Sequence, residues 1–443
     1  MKEYLKTEKY HKFIQVIILG VVFFAFNYYL FTAFHIKSGY IIWSDAEGYY
    51  QYLPQLFFNN NITHLPYAIS LDNGMTINSF TYGTALLESP FFVLAHIYNK
   101  VFGFIDDGCT SVYGMSLWIA ASTYVFIGLL LLYRILRKWF DKWPSFIAVL
   151  AVYYATNLFY YTVVEPGYSH AYSFFILTLF IYTFDKFLKN PNTANTIYCG
   201  IPIGIGCLIR PTNVFYVLLF LIYDVHSFHA LKERMVWIIK NIHYFLLIAL
   251  VVFVIFIPQM LYWHAVTGKY LAFSYNYPHG GWSISFKYWN NPKIGYVLFG
   301  MESGWLIYSP VFFLFLTGLI WSLIKRSYNA IAIAVLFILI VYANGSWWCY
   351  TFSCSFGHRA FIEYYPLFII PITFLLQKTF KIKMKFALYF ITFLLIIFSF
   401  TNIRMSHLYY REQCWVRPDW TWNSFKNALN KAYYRIPQNR NLK

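Results

Sequence analysis

Five stretches hold residues whose types and spacing could do chemistry together. The first is Trp43-Ser44-Asp45-Ala46-Glu47-Gly48-Tyr49-Tyr50, with two carboxylates two positions apart. A carboxylate can take a proton from a hydroxyl, and hard divalent cations choose carboxylate oxygens. The plain alternatives are a capping box Ser44-x-x-Glu47 and, for Asp45, a complement to a helix dipole. The second stretch is Val164-Glu165-Pro166-Gly167-Tyr168-Ser169-His170, a tight turn between two apolar runs. The third is Leu208-Ile209-Arg210-Pro211-Thr212-Asn213. A guanidinium in an apolar run is costly, and its planar fork matches phosphate oxygens; the alternative is a snorkelling arginine. The fourth runs from Asn344-Gly345-Ser346-Trp347-Trp348-Cys349-Tyr350 to His358-Arg359 and Glu363. Paired indoles offer a stacking platform for a sugar ring, and His358-Arg359 an anion site. The alternatives are an interfacial aromatic belt and an i,i+4 pair of Arg359 with Glu363. The fifth is Lys269, Tyr275, Asn276, His279 and Trp282, followed by Glu302-Ser303-Gly304-Trp305, which reads as a groove or an ordinary wet loop.

These residues must be positioned by a membrane bundle. Of 443 residues, 59% are hydrophobic and 12% charged, and the mean hydropathy is +0.50. Soluble domains carry roughly 25% charged residues. A chain this apolar cannot cover a soluble surface, which excludes a disordered protein, a secreted disulfide scaffold and a nucleic-acid-binding domain. The net charge of +17 is read as topology-setting lysine and arginine. Apolar runs at about 13–34, 111–133, 144–163, 169–187, 196–209, 212–225, 243–263, 304–324, 329–346, 361–377 and 386–402 predict eleven spans. The fifth and sixth are short and form a pair broken at Arg210-Pro211, because proline disfavours helix at the residue before it. Residues 1–443 read as one integral membrane domain.

The lysines at 2, 6, 9 and 12 place the N-terminus in the cytoplasm. The loops on that side then hold 19 Lys and Arg against 7 in the outer loops, a positive-inside bias. The outer side receives a long first loop at 35–110, with amphipathic helices at 46–58 and 84–102, and a basic tail at 403–443. Cys109, Cys349, Cys354 and Cys414 face that oxidising side, where a disulfide can form.

With an acidic motif in the first outer loop just after span one, the chain resembles the GT-C glycosyltransferases. It is most similar to the protein mannosyltransferase and aminoarabinose transferase class, which use polyprenyl-phosphate sugars. The mannosyltransferase pattern has Asp and Glu adjacent; here Ala46 separates Asp45 from Glu47. The resemblance implies an all-α polytopic fold that moves a sugar, with inversion, from a polyprenyl-phosphate donor to a hydroxyl on a glycan, lipid or protein. It casts Asp45 as the base and Glu165 as the second acid. Glu47, His170, Arg210, Trp347, Trp348, His358, Arg359 and Glu302 become substrate-binding. A divalent cation, Mg or Mn, would sit on Asp45, Glu47 and Glu165. The implied partners are the donor, membrane lipids and the acceptor, in the inner (plasma) membrane with the site facing the periplasm or exterior.

The rival class is a polytopic transporter or lipid flippase, which the broken pair at Arg210 would suit. No matching pair stands in the other half of the sequence. The topology is tested by Asn73→Cys. This thiol is expected to react with an impermeant maleimide in intact cells. Labelling only after the membrane is broken would overturn the orientation.

Overall fold

The computed structural model describes residues 2–58, 68–274, 286–381, 385–412, 415 and 420–434. It is helical almost throughout. The helices are α1 (Lys2–Ala33), α2 (Asp45–Tyr50), α3 (Tyr52–Phe58), α4 (Gly83–Phe102), α5 (Ser111–Leu136), α6 (Lys142–Tyr154) and α7 (Leu158–Val163). Then come α8 (Ser169–Lys189), α9 (Thr193–Ile209), α10 (Leu219–Ile222), α11 (Phe228–Lys240), α12 (Ile242–Thr267) and α13 (Ile294–Phe299). The last are α14 (Trp305–Tyr308), α15 (Phe312–Ile324), α16 (Ala330–Ser346), α17 (Tyr365–Lys381), α18 (Lys385–Glu412) and α19 (Trp422–Tyr434). One small antiparallel hairpin, β1 (Ala68–Ser70) with β2 (Thr76–Asn78), pairs Ile69 with Ile77.

The chain is an all-α polytopic membrane protein. Among the described residues, six stretches are long and apolar enough to cross a bilayer: Ile14–Ala33, Ser111–Leu136, Ser169–Lys189, Ile242–Thr267, Arg359–Lys381 and Phe386–Glu412. Thr193–Ile209, Pro211–Ile222, Phe312–Ile324 and Ala330–Ser346 are apolar but shorter. The structure therefore does not establish the predicted count of eleven. The run expected at 144–163 is divided into α6 and α7, because the chain leaves the helix at Ala155. Thr156 and Asn157 turn their backbone and side chains into buried bonds there. Asn402 of α18 donates to the Thr156 carbonyl at 2.7 Å, and Asn157 Nδ2 donates to the Phe356 carbonyl at 3.2 Å.

The break at Arg210 is present. Arg210 is extended, with φ −148° and ψ 127°, and it ends α9. Pro211 then opens a 3-10 helix, Pro211–Leu218. Proline's ring clashes with helical geometry at the preceding residue, and its fixed φ suits the first position of the next helix.

The centre of the bundle is α8. It packs against α5, α9, α17 and a 3-10 helix at Arg359–Tyr364. Its first five residues, Ser169 to Ser173, are all buried. Water cannot drive such packing inside a bilayer, so close contact and internal hydrogen bonds must do so. At the far end of α8, Asp185 accepts from Lys138 at 2.5 Å and pairs with Lys189 at 3.0 Å.

The stretch from 35 to 110 carries α2, α3, the hairpin and α4, so the helix-like segments at 46–58 and 84–102 are helical. Ser44 has a positive φ of 54° and makes no side-chain cap bond to α2. The Ser44-x-x-Glu47 capping box is thus not formed. Gly167 lets the 165–168 turn approach α2. A Cβ built on it would lie 2.7 Å from the Ala46 Cβ, a clash neither partner can escape by rotating a bond. Gly167→Ala is expected to destabilise the fold by about 1–3 kcal/mol, the cost of overpacking. A thermal melt of the purified variant checks it, with an unchanged midpoint counting against the close approach.

Candidate functional site

The residues singled out from sequence come from distant parts of the chain, and two ion clusters bring most of them to one end of α8. In the first, Arg359 Nη2 donates to Asp45 Oδ2 at 2.6 Å. Their side chains are 11% and 15% exposed. The guanidinium also lies over the Tyr168 ring at 4.9 Å and the Phe352 ring at 5.8 Å. In the second, Glu363 Oε1 meets His170 Nδ1 at 2.9 Å and Arg210 Nε at 3.0 Å. The latter is an ion contact without hydrogen-bond alignment. Arg210 Nη1 also donates to Ser169 Oγ at 3.3 Å.

The clusters adjoin each other. The Tyr49 phenol, one helical turn past Asp45, lies among Arg210, Asp45, Ser169 and Arg359. Arg359 and Glu363 sit on the same 3-10 helix, and the Glu363 carbonyl accepts from Tyr216 at 2.8 Å. His170 and Ser169 are the first two residues of α8. Two of the plain alternatives are not realised here. Glu363 is not the i,i+4 partner of Arg359; the tighter 3-10 coil sends it to Arg210 and His170 instead. Arg210 is not a lone cation, because that same carboxylate compensates it.

Glu165 lies in the turn before α8. Tyr160 donates to its Oε1 at 3.1 Å, and among the described residues Oε2 has no hydrogen-bond partner. Burial pushes its pKa from 4.5 up to about 8, against the pull of Arg359 and the Tyr160 bond, and Asp45 adds to the rise. The group is therefore largely neutral at pH 7. For Glu47, burial raises the pKa as well.

The remaining predicted residues lie elsewhere. His358 is fully buried, and its Nε2 faces the Tyr350 carbonyl at 3.1 Å. Burial pushes its pKa down to about 3, so it is a neutral ring and not the cationic donor expected. Trp347 and Trp348 are half-buried at the end of α16, with Trp347 edge-on to Phe286 at 5.2 Å. Glu302 lines a separate pocket of about 220 Å³ with Tyr296, Phe299 and Trp422. Tyr275, Asn276, His279 and Trp282 lie outside the described residues.

No three His, Cys, Asp or Glu side chains are grouped to hold a metal ion among the described residues. Asp45 has one oxygen on Arg359 and Glu165 one on Tyr160. Of the cysteines, Cys354 is in a disulfide, Cys109 and Cys349 are free thiols, and Cys414 lies outside the described residues.

Sequence reasoning underused Glu363. A signal was present: it is an acid inside the apolar run 361–377, as costly there as Arg210 is in its own run, and two such charges seek each other. Tyr49 and Tyr168 carried no signal, being two of 42 tyrosines.

Residues 101–263 match the model of the dolichyl-phosphate-mannose-protein mannosyltransferase family, the class the sequence resembles. The match takes in Glu165, His170 and Arg210, and leaves out Asp45, Arg359 and Glu363. No curated protein sequence matches the chain. Among solved structures, the archaeal oligosaccharyltransferase AglB from Archaeoglobus fulgidus, in complex with an inhibitory peptide and a dolichol-phosphate, is similar. The identity is 14% over 83% of this chain and 51% of that one, with a TM-score of 0.49. An apo oligosaccharyltransferase from the same organism gives 14% over 91% and 53%, with a TM-score of 0.44. The chain spans about half the length of these structures.

The neutral Glu165 has a thermodynamic consequence. Its raised folded pKa makes its contribution complete below the ordinary carboxyl range. That contribution declines as pH rises from about 4.5 and is gone above about 8. Glu165→Gln is expected to remove that declining limb. Melting temperature measured across this range checks it; parallel curves for wild type and variant would mean that Glu165 titrates normally.

Proposed function

We propose that the chain is a membrane glycosyltransferase that moves a sugar from a polyprenyl-phosphate donor to a hydroxyl acceptor. The reaction would run at the outer membrane face with inversion at the anomeric carbon. The observation that carries this reading is the meeting of Asp45 with Arg359, and of Arg210 with Glu363, at one end of the bundle. A base and two guanidiniums within a few side chains of each other suit attack by a hydroxyl and departure of a phosphate. The family match over 101–263 supports the same class.

Asp45 has one oxygen on Arg359, and its other oxygen is assigned to the acceptor hydroxyl proton. The sugar carbon is attacked from the side opposite the phosphate. The C–O bond to phosphate breaks as the new C–O bond forms. Negative charge then grows on the phosphate, where Arg210 and Arg359 stabilise it as fixed charges in a site of low dielectric. Glu165, held neutral, adds no repulsion toward that phosphate. His170 acts on Glu363 and not on substrate. Tyr49 and Tyr168 lie beside Asp45 and Arg359. No step is assigned to a divalent cation. Cys354 in a disulfide agrees with an oxidising compartment for this face. Trp347, Trp348 and Glu302 stay candidates for the acceptor side.

Purified protein with a radiolabelled lipid-phosphate sugar tests the class. Turnover supports the enzyme, while counterflow in vesicles without turnover would favour the transporter. Within the enzyme reading, Asp45→Asn should lower turnover by about 100-fold or more, because the amide keeps the shape but cannot accept the proton. Near-normal turnover in a folded Asp45→Asn protein would remove Asp45 from the mechanism.

A further inference from the structure

Glu363 is a buried acid that no step above uses. Its side chain is 1% exposed, and so is that of His170 beside it. A single oxygen, Oε1, serves both His170 Nδ1 at 2.9 Å and Arg210 Nε at 3.0 Å. The other oxygen accepts no hydrogen bond among the described residues. The carboxylate thus meets Arg210 at a buried nitrogen, Nε. Arg210 Nη1 donates to Ser169 Oγ, and the guanidinium flanks Tyr49 and the Asp45 cluster. Any phosphate that Arg210 binds must share the cation with Glu363.

That sharing bears differently on substrate and product. A polyprenyl-phosphate sugar is a phosphodiester with one negative charge. The polyprenyl phosphate left behind is a monoester that approaches two charges at neutral pH, since its second pKa is about 6. An uncompensated arginine in a low-dielectric pocket would hold the product more tightly than the substrate. A carboxylate fixed behind the arginine weakens both, and weakens the dianion more, because Coulomb repulsion scales with charge.

We infer that Glu363 is a positioning residue that tempers Arg210, so that the polyprenyl phosphate product can leave. The His170 bond holds the carboxylate in place for this. The inference rests on the proposed donor chemistry. It goes beyond it by giving the buried acid a role in discriminating monoester from diester.

The test is direct binding to the full-length purified protein, followed by tryptophan fluorescence. The probes are farnesyl phosphate, a monoester, and its methyl diester. Glu363→Gln keeps the shape and can still accept from His170, but it loses the charge. It is expected to tighten farnesyl phosphate about tenfold at pH 8, the scale of one partly screened charge contact, and the diester by clearly less. At pH 5.5 the monoester loses its second charge, and the gap between the two probes should close. Glu363→Asp keeps the charge but draws it back from Arg210, so an intermediate tightening is expected. It carries the test if the Gln variant does not fold. Unchanged or weaker monoester binding in a folded Glu363 variant overturns the inference and leaves Glu363 as packing. If wild type binds neither probe, or Arg210→Ala binds them as wild type does, the donor reading itself fails, and the inference falls with it.

Discussion

A charge buried at the end of an apolar bundle must find its opposite, and this constraint organises the structure. Asp45 and Arg359 are 314 residues apart in sequence, yet their 2.6 Å contact ties the first loop to the 3-10 helix that precedes α17. Arg210 and Glu363 do the same for α9 and that 3-10 helix. Desolvating an ion costs several kcal/mol, and removing one partner of a buried pair leaves the other stranded. The four residues therefore fix each other and the helix ends that carry them.

Arginine suits both pairs for a reason beyond charge. A guanidinium has five donors in one plane, so one edge can hold a carboxylate while another faces an incoming oxyanion. Arg359 uses its flat faces as well, lying over Tyr168 and Phe352. Lysine would offer a point charge that the resident carboxylate could quench. The site needs cations that stay available while paired.

Much of this was legible in the sequence, and the limits have physical causes. Apolar runs located the helices because hydropathy reports on burial in lipid whatever the topology. The break at Arg210-Pro211 followed from proline sterics, which act between neighbours. Span three misled because Ala155, Thr156 and Asn157 keep the run apolar enough, while the bonds that break it come from Asn402 and Phe356, far along the chain. The same holds for the site. Asp45, Glu165, His170, Arg210 and Arg359 stood out as polar residues at apolar ends. Their pairing did not, since i,i+4 spacing suggested Arg359 with Glu363, and only a 3-10 coil redirects both. His358 looked cationic for want of knowledge that burial would keep it neutral.

The aromatic content also finds a local reason. Tyr49, Tyr160, Tyr161, Tyr168, Tyr216 and Tyr364 surround the two clusters, and all six are buried. A phenol brings a hydroxyl to a polar neighbour without adding charge of its own. Tyr160 donates to Glu165, Tyr216 to the Glu363 carbonyl, and Tyr161 meets Ser355 Oγ at 3.0 Å. Serine at these positions would be too short to reach, and a further acid or base would unbalance the pairs. Tyrosine fills the volume, excludes water and keeps the dielectric low. In such a setting a fixed guanidinium acts on a growing negative charge most strongly. The same rings that make the chain apolar enough for a membrane make its few charges effective.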